Sequence, residues 1–280
     1  VSRHFHRQRI LLAAGLFAGG ASPPEISRQA VVQAFEFLYP SFETFALAVK
    51  DPARLSAVVQ AQKELDTAKP LIQISRWADS PVLEFPDKAR DVFAFLAGPR
   101  PGGNTDTIMD AVLAGAREHG SRTEKLCFSH MNLQPCSGCM ACKSGKLTTC
   151  CSISDDMERL YERFQQCDAF VLGFPVYSGR ECSHLALVLD RLFALSDPWG
   201  QKQWKKRRGV IVATWGWPSP DIYAPVVHTI AFILRHFGIQ TIEIVTGCGF
   251  WDAAYARGTA ALDTEKLEPA RAAGKALALS

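Results

Sequence analysis

From about residue 89 onwards, short apolar runs rich in β-branched and aromatic residues alternate with segments of helical periodicity. Strands that lack polar alternation and are separated by helices predict a parallel sheet covered on both faces. Five such units favour a doubly wound α/β fold, which binds ligands beyond the carboxyl ends of its strands. The predicted strands are 91–97, 123–128, 169–174, 209–214 and 241–247, and the predicted helices lie near 104–118, 154–166, 181–195, 221–237 and 264–278.

Residues 1–88 lack this alternation, and their periodicity is helical from residue 22 onwards. Ser22 is a candidate N-cap followed by prolines in the first turn, and Asp51 with Pro52 repeats the pattern. The sequence therefore predicts a helical extension over 1–88, to which it assigns no role, and an α/β domain over 89–280.

The start of the chain has the outline of a secretory signal, because residues 3–22 combine a basic start, a short apolar stretch and small residues near Ala21. The alternative is a short apolar segment that packs on the body of the protein. A cleaved signal implies an oxidising compartment. The nine cysteines, however, are odd in number and closely spaced, which does not indicate a disulfide framework. We therefore expect a reducing, cytoplasmic location.

Composition and charge exclude several classes of function. Of the 280 residues, 48% are hydrophobic, so a core can form without disulfides. A net charge of +3 is too mild to predict nucleic-acid binding, and no apolar run approaches the ~20 residues of a membrane span. The basic run at 202–208 predicts a solvated loop before a strand, and it contains Lys202, Lys205, Lys206, Arg207 and Arg208.

The loop after the first predicted strand, AGPRPGGNTD, is a candidate anion site. Gly98, Gly102 and Gly103 allow a tight turn that exposes consecutive N–H groups, and Asn104 or Thr105 caps the helix that follows. Amides and a hydroxyl at a helix N-terminus bind phosphate without a charged side chain. The loop matches neither G-x-G-x-x-G nor G-x-x-x-x-G-K-[ST], and the alternative is a flexible strand-to-helix turn.

Two further loops are predicted at the same edge of the sheet. GFPVYSGR (173–180) ends the third predicted strand, and ATWGWPSP (213–220) ends the fourth. Pro175, Tyr177 and Gly179 suggest a rigid wall, and Trp215 and Trp217 add aromatic surface. Three such loops suit a flat aromatic ligand with a phosphate tail, since amides meet the tail and apolar walls meet the ring.

Five cysteines lie in PCSGCMACKSGKLTTCC, between Pro135 and Cys151. The C-x2-C-x2-C spacing of Cys136, Cys139 and Cys142 is typical of ligands to a 4Fe–4S cluster, which requires a fourth thiolate from elsewhere. Cys150 is favoured as this fourth ligand because of its distance along the chain from the other three cysteines, and Cys151 is the alternative. Three alternatives remain open: a structural zinc site, a strained disulfide, and inert thiols. Zinc usually prefers two separated pairs of ligands, and the disulfide would join cysteines three residues apart.

Four segments in this order resemble the NADPH-dependent FMN reductase family, and within it they look most like the iron–sulfur flavoprotein branch. The resemblance covers roughly residues 90 to 275 and implies a flavodoxin-like fold, bound FMN, NAD(P)H as the electron donor, and homodimers or homotetramers. The segments are GPRPGGNTDTIMDAVLAGAREHG, NLQPCSGCMACKSG, ISDDMERLYERFQQCDAFVLGFPVYSG and LVLDRLFAL.

The resemblance also implies roles for individual residues. The family's SPRxxGNT loop holds the FMN phosphate and its PVYxG segment lies against the isoalloxazine ring, whereas Gly98 stands here in place of the usual Ser. Cys151 aligns with the family's cysteine before the DDM segment (155–157). Trp215-Gly216-Trp217 replaces a Gly-rich loop and narrows the expected pocket. The implied FMN-binding residues are Pro99, Arg100, Gly102, Gly103, Asn104, Thr105, Pro175, Val176, Tyr177, Ser178, Gly179, Trp215 and Gly216.

These observations predict an FMN-dependent oxidoreductase in which electrons pass between a reduced donor, a 4Fe–4S cluster and the flavin. The chemistry takes place on the flavin, so no catalytic side chain is expected. The donor or acceptor is a small molecule or a protein. The alternatives are a cluster-free NAD(P)H:flavin or quinone reductase, a non-catalytic flavodoxin-like carrier or redox sensor, and a chain in which Gly98 and the two tryptophans have abolished flavin binding.

Overall fold

A single sheet with helices on both faces forms the centre of the structure, a computed structural model that describes residues 71–75, 85, 88–196, 204–217, 220–250 and 265–279. Its strands are β1 (Leu71–Ser75), β2 (Asp91–Leu96), β3 (Arg122–Cys127), β4 (Ala169–Tyr177), β5 (Arg180–Glu181), β6 (Arg207–Thr214) and β7 (Ile239–Cys248). Its helices are α1 (Asn104–Glu118), α2 (Met157–Gln166), α3 (Ser183–Leu192), α4 (Ala224–Arg235) and α5 (Glu268–Ala278).

The five strands predicted from the sequence run parallel in the order β3-β2-β4-β6-β7. This is the flavodoxin-like order 2-1-3-4-5, in which ligands bind where the strand order reverses. Here the reversal lies at β2, between β3 and β4. The prediction of a flavodoxin-like doubly wound five-stranded sheet is confirmed, and its crevice is expected beyond the carboxyl ends of β2 and β4.

Alternation along the central strands divides the core into two layers. On β2, Phe93 and Phe95 face one cluster, and Val92 and Ala94 face the other. Since successive side chains of a strand point to opposite faces, an uninterrupted apolar run must be covered twice. Helices α2, α3 and α4 contribute to the first cluster, and α1 and α5 contribute to the second.

Helices α1 and α5 contact each other backbone to backbone through two glycines. A Cβ atom added to Gly115 would overlap the carbonyl of Arg271, and one added to Gly274 would overlap the carbonyl of Val112. This close approach is possible because neither position carries a side chain. The contact with α5 therefore fixes the position of α1, whose first turn follows the predicted anion loop.

Two expectations about the flanks of the fold are wrong. Residues up to about 88 were expected to be helical, but Leu71–Ser75 is a strand that pairs antiparallel with β7 at the sheet edge. Antiparallel edge strands are common on parallel sheets. The basic run was expected to be solvated, but Arg207 and Arg208 lie within β6 and are buried, at 1% and 5% exposure.

Arg207 is buried because carbonyl groups at the ends of two helices accept its hydrogen bonds. Its guanidinium donates to the carbonyl of Phe164 in the last turn of α2 and, at 2.7 Å, to that of Phe237 after α4. Burial lowers the pKa of Arg207 below its usual value. Carbonyls at helix C-termini carry partial negative charge, which stabilises the cation.

The other predictions for the amino-terminal part of the chain, the secretory signal and the helices after Ser22 and Asp51, lie outside the described residues. The domain boundary at residue 88 stays a prediction. Within the part of the chain that the structure describes, no helix is both long and apolar enough to cross a membrane.

Candidate functional site

A cavity of about 160 Å³ opens at the carboxyl edge of the sheet, where three loops meet. Hydrogen bonds beyond the strands hold these loops together. The amide of Ala97 donates to the carbonyl of Gly173 (2.8 Å), and that of Trp215 donates to the carbonyl of Gly247 (2.9 Å). The predicted residues in the lining are Pro99, Arg100, Gly103, Asn104, Thr105, Pro175, Val176, Tyr177, Trp215 and Gly216, whereas Gly102, Ser178 and Gly179 lie outside it.

The loop between β2 and α1 has fewer open amides than the sequence predicts. The Gly103 amide donates to the carbonyl of Arg100 (3.1 Å), which closes a turn, and the Gly102 amide donates to Asp106 Oδ2 (2.7 Å). Two of the four amides from Gly102 to Thr105 are therefore used within the loop. A ligand phosphate meets the first turn of α1 and its dipole rather than a row of four open amides.

A lysine neutralises the carboxylate beneath this loop. Asp106 is buried, and its Oδ1 lies 2.6 Å from Lys125 Nζ, which is also 2.5 Å from Asp110 Oδ1. Burial alone would lower the pKa of Lys125, but the two carboxylates outweigh it and raise the pKa above its usual value. Lys125 therefore stays charged and offsets the buried carboxylate of Asp106 beneath the anion site, whereas its second partner, Asp110, is exposed to solvent.

Two hydroxyl groups join the first and third loops inside the cavity. Thr105 Oγ1 and Thr214 Oγ1 lie 2.5 Å apart, and both residues are buried. One hydroxyl must donate to the other, so the acceptor keeps a proton that it can donate to an anion. The sequence did not single out Thr214, although its place as the last residue of β6 puts it at the edge where ligands bind.

The segment predicted to lie against an aromatic ring is the turn of a short β-hairpin. Val176 pairs with Glu181, and Tyr177 pairs with Arg180, which leaves a two-residue connection. Its central residues have positive φ, 52° at Ser178 and 77° at Gly179. Positive φ at both central positions defines the type I′ turn that matches the twist of a hairpin. Pro175, Val176 and Tyr177 are thereby held at the cavity wall.

Trp215 forms a buried wall of the cavity. It is 4% exposed, and its ring packs edge-on against Tyr223 with centroids 5.6 Å apart. Gly98, also in the lining, is close-packed, because an added Cβ would lie 3.2 Å from Pro175 Cδ. The glycine that departs from the family pattern thus allows Pro175 to lie tightly against the first loop. The cavity remains open despite the tryptophan.

The cavity suits a phosphate-bearing aromatic ligand. It combines the N-terminus of α1 and the hydroxyl pair Thr105–Thr214 with apolar walls that include Pro175, Trp215 and Phe250. Helix N-termini and hydroxyls bind phosphate, and apolar walls bind a flat ring. Sequence reasoning missed Leu96, Thr214 and Phe250 of the lining, although each ends or follows a predicted strand at this edge.

A second, smaller cavity of about 30 Å³ brings four cysteines together: Cys136, Cys139, Cys142 and Cys151. Cys150, which the sequence favours on reach, is not in this lining, although it is partly buried against the core as Cys151 is. Thiolates are the donors that iron–sulfur clusters require, so this set fits a cluster in chemistry. Among the described residues, however, no three His, Cys, Asp or Glu side chains converge as metal ligands.

Hydrogen bonds already engage two of these thiols. Cys139 Sγ lies 3.3 Å from Ser152 Oγ, and the Gly138 amide donates to Cys136 Sγ (3.5 Å). The hydrogen bond from Ser152, with further ones from the neighbouring backbone, lowers the pKa of the Cys139 thiol to about 7. A large fraction of the Cys139 thiol is therefore ionised near neutral pH, and the thiolate is the form that binds metals.

The remaining cysteines belong to the core, as the sequence predicts. Cys127, Cys167, Cys182 and Cys248 are buried and free. Burial raises the pKa of the Cys248 thiol to about 11, which keeps it protonated and inert. Cys182, directly before α3, donates a weak hydrogen bond to the carbonyl of Ala97 (3.4 Å) and so joins the start of that helix to the first loop.

Comparisons with known proteins agree with this geometry. Residues 90–226 match the sequence model of the NADPH-dependent FMN reductase family. An iron–sulfur flavoprotein of Methanocaldococcus jannaschii is 35% identical over 101 residues, which are 36% of this chain and 50% of that protein. An iron–sulfur flavoprotein of Methanosarcina thermophila is 34% identical over 93 residues, 33% of this chain and 47% of that protein. The chain thus spans about half the length of these relatives.

Among solved structures, an NAD(P)H:quinone oxidoreductase from Methanothermobacter marburgensis superposes with a TM-score of 0.53. The match covers 68% of this chain and 97% of that one at 15% sequence identity. At this identity the likeness shows the fold alone. It supports the flavodoxin-like assignment made from the strand order.

Proposed function

Residues 90–226 of this chain belong to the NADPH-dependent FMN reductase family, and from this premise we propose that the protein is an FMN-dependent oxidoreductase with NAD(P)H as its donor. The observation that carries the proposal is the cavity at the sheet edge, which joins a helix N-terminus and two hydroxyls to aromatic walls. The proposed FMN-binding residues are the ten predicted residues that line this cavity, with Thr214 and Phe250 added.

The protein's own residues have four tasks in this function. The first turn of α1 and the pair Thr105–Thr214 bind the phosphate, and Lys125 offsets the charge of Asp106 beneath it. Pro175 and Trp215 hold the ring and exclude water from it. Arg100 at the exposed mouth is placed to bind a phosphate of an incoming nucleotide. Bound FMN supplies hydride and single-electron transfer.

We further propose that a 4Fe–4S cluster is held by Cys136, Cys139, Cys142 and Cys151. The support is their shared cavity and the names of the two relatives described above. Cys151 replaces Cys150 in this proposal because Cys150 is absent from the lining. A reducing, cytoplasmic location stays part of the proposal, because a 4Fe–4S cluster needs its cysteines as thiolates. A homodimer or homotetramer is proposed from the family and is tested by light scattering.

The test is an anaerobic absorption spectrum with flavin, iron and sulfide quantified on the same sample. We expect flavin bands near one FMN per chain, a broad iron–sulfur shoulder, and loss of the shoulder in Cys151→Ser but not in Cys150→Ser. Protein that fails to bind added FMN would contradict the oxidoreductase. Protein that contains flavin but no iron would contradict the cluster and favour a cluster-free NAD(P)H:flavin or quinone reductase. Protein that binds FMN but does not oxidise NADPH would favour a non-catalytic redox carrier.

Thr214→Val tests the hydroxyl pair directly. The substitution keeps the shape of the side chain but leaves Thr105 Oγ1 without the 2.5 Å partner that orients its hydroxyl for the phosphate. A hydrogen bond to a charged group contributes about 1.5–3 kcal/mol, so we expect FMN to bind about tenfold to a hundredfold more weakly. Riboflavin, which lacks the phosphate, serves as the control ligand. Equal weakening for both ligands would place the pair away from the phosphate.

A further inference from the structure

The cysteine segment has little regular structure of its own. Between the end of β3 and the start of α2, only short 3₁₀ turns are present, at Phe128–His130 and Ala141–Lys143. Gly138 and Met140, on either side of Cys139, both have positive φ, at 68° and 58°. Such a segment loses much conformational entropy on ordering and needs tertiary anchors to keep one shape.

A buried ion pair ties the two ends of this segment together. Arg191 of α3 binds Asp155 with two hydrogen bonds, Nη1 to Oδ2 at 2.7 Å and Nη2 to Oδ1 at 3.0 Å, and both side chains are 1% exposed. Arg191 Nη1 also donates to the carbonyl of Gln134 (2.6 Å). The carboxylate of Asp155 accepts the amides of Gln134 (2.8 Å) and Met157 (3.1 Å).

A second anchor lies immediately after the third cysteine of the motif. Lys143 Nζ donates to the carbonyls of Phe193 (2.6 Å) and Ser196 (2.5 Å), at the C-terminal end of the helical segment that begins with α3. The ammonium group also lies 4.6 Å from the centroid of the Phe193 ring. Carbonyls at a helix C-terminus attract a cation, so this contact fixes the segment at its middle.

All of these contacts converge on one helix. The cavity that the four cysteines share is lined by Asp190, Arg191 and Phe193. The backbone of Arg191 is itself fixed, because its carbonyl accepts a hydrogen bond from Tyr161 Oη (2.7 Å). The helix is therefore both a wall of the cavity and the frame to which the cysteine segment is tied.

We propose that Arg191, Asp155 and Lys143 are positioning residues that hold the backbone of the cysteine segment around its cavity before metal binds, so that loading requires rotation of thiols and not folding of the segment. The proposal rests on the cluster in the proposed function, whereas its structural part concerns the metal-free chain. A binding site that is ordered in advance avoids the entropy of ordering at the moment of binding.

The first test measures the metal-free, full-length chain. Each thiol is alkylated with iodoacetamide at one pH, and its rate is followed by mass spectrometry. In Lys143→Met we expect Cys142 and Cys151, which are partly buried, to react roughly tenfold faster. The matched control is Lys146→Met, an exposed lysine of the same segment for which the structure gives no side-chain hydrogen bond, and its rates should equal those of the wild type.

The buried thiols Cys167 and Cys182 separate positioning from general destabilisation, and their rates should stay unchanged in all variants. Because Arg191→Met alone leaves the buried carboxylate of Asp155 without its cationic partner, the second variant is the charge-neutral pair Asp155→Asn with Arg191→Met. It should accelerate Cys142 and Cys151 as Lys143→Met does. Wild-type rates in both variants, or acceleration that includes Cys167 and Cys182, would overturn the proposal.

The second test measures iron and sulfide bound after anaerobic reconstitution at limiting iron. We expect Lys143→Met to retain a several-fold smaller share of iron than the wild type and Lys146→Met. A wild-type chain that binds no iron would contradict the proposed cluster. A wild-type chain that binds iron, with Lys143→Met binding as much and as fast, would contradict the positioning role alone.

Discussion

Two adjacent residues after β4 adopt the left-handed conformation that most side chains avoid. Ser178 has φ of 52° and Gly179 has φ of 77°, and together they turn the chain back into β5. The left-handed conformation costs a residue with a Cβ atom roughly 1–2 kcal/mol. Ser178 therefore carries strain at a site that sets the position of Tyr177 at the cavity mouth.

This turn provides a pair of substitutions with opposite expected signs. Gly179→Ala should lower the free energy of unfolding by about 1 kcal/mol, because alanine is strained at positive φ. Ser178→Gly should leave that free energy unchanged or raise it, because glycine adopts the same conformation without strain. Urea unfolding followed by circular dichroism measures both. Equal destabilisation by the two variants would show that the turn is not type I′ in solution.

At the scale of elements, the contact between α1 and α5 depends on the absence of side chains. A Cβ atom at Gly274 would overlap the carbonyl of Val112, and that carbonyl belongs to a helix backbone that cannot rotate away. Since the N-terminus of α1 lines the cavity at the end proposed to bind the phosphate, the position of α1 against α5 affects the proposed site.

Gly274→Ala should therefore destabilise the fold and weaken FMN binding. Alanine gains about 1 kcal/mol over glycine in helix propensity, but overpacking against a backbone carbonyl costs about 1–3 kcal/mol and displaces α1. We expect a lower unfolding midpoint in urea and a larger Kd for FMN. Lys275→Ala, one residue further along on the exposed face, is the control and should change neither. A stabilised Gly274→Ala would mean that propensity outweighs the contact.

Helix α3 connects the cavity at the sheet edge with the cavity that four cysteines share. Cys182, directly before the helix, contacts the carbonyl of Ala97 beside the FMN cavity, and Arg191 near the end of the helix lines the cysteine cavity. Nine residues of helix span about 12–14 Å at 1.5 Å per residue. One rigid element thus fixes the separation of the two sites.

At the scale of the whole molecule, the ion pair between Asp155 and Arg191 makes stability depend on pH. Burial alone would raise the pKa of Asp155, but hydrogen bonds from Arg191 and from the amides of Gln134 and Met157 outweigh it and hold the pKa below its usual value. The stabilisation is complete above the unfolded pKa of about 3.9 and is lost as the pH falls through the lower folded value.

Asp155→Asn removes this dependence. The variant should be less stable than the wild type at pH 7, where the wild-type carboxylate is ionised, and the difference should shrink as the pH falls below about 4. Urea midpoints at pH 7, 5, 4 and 3 measure it. The control is Glu158→Gln, an exposed position in the first turn of α2. A difference that is constant across these pH values would mean that Asp155 does not carry the acid sensitivity.

Local patterns in the sequence were sufficient for the parallel sheet and for the edge where the cavity opens, whereas the flavodoxin-like form of the fold was expected from the family resemblance. Apolar runs such as DVFAFL can be buried only in a sheet covered on both faces, and parallel strands joined by helices bring their carboxyl ends to one edge. The C-x2-C-x2-C spacing likewise predicted three neighbouring thiols, which share the lining of one cavity. These features follow from neighbours in the chain, whose geometry is fixed by covalent connection and by secondary structure.

Only the tertiary structure decided which distant groups pair. It joined Thr105 to Thr214, occupied the Gly102 amide with Asp106, chose Cys151 over Cys150 for the shared cavity, and buried Arg207 against the ends of two helices. The physical reason is the same in each case. A hydrogen bond or ion pair between residues far apart in sequence depends on the packing of whole elements, and residue spacing along the chain does not determine that packing.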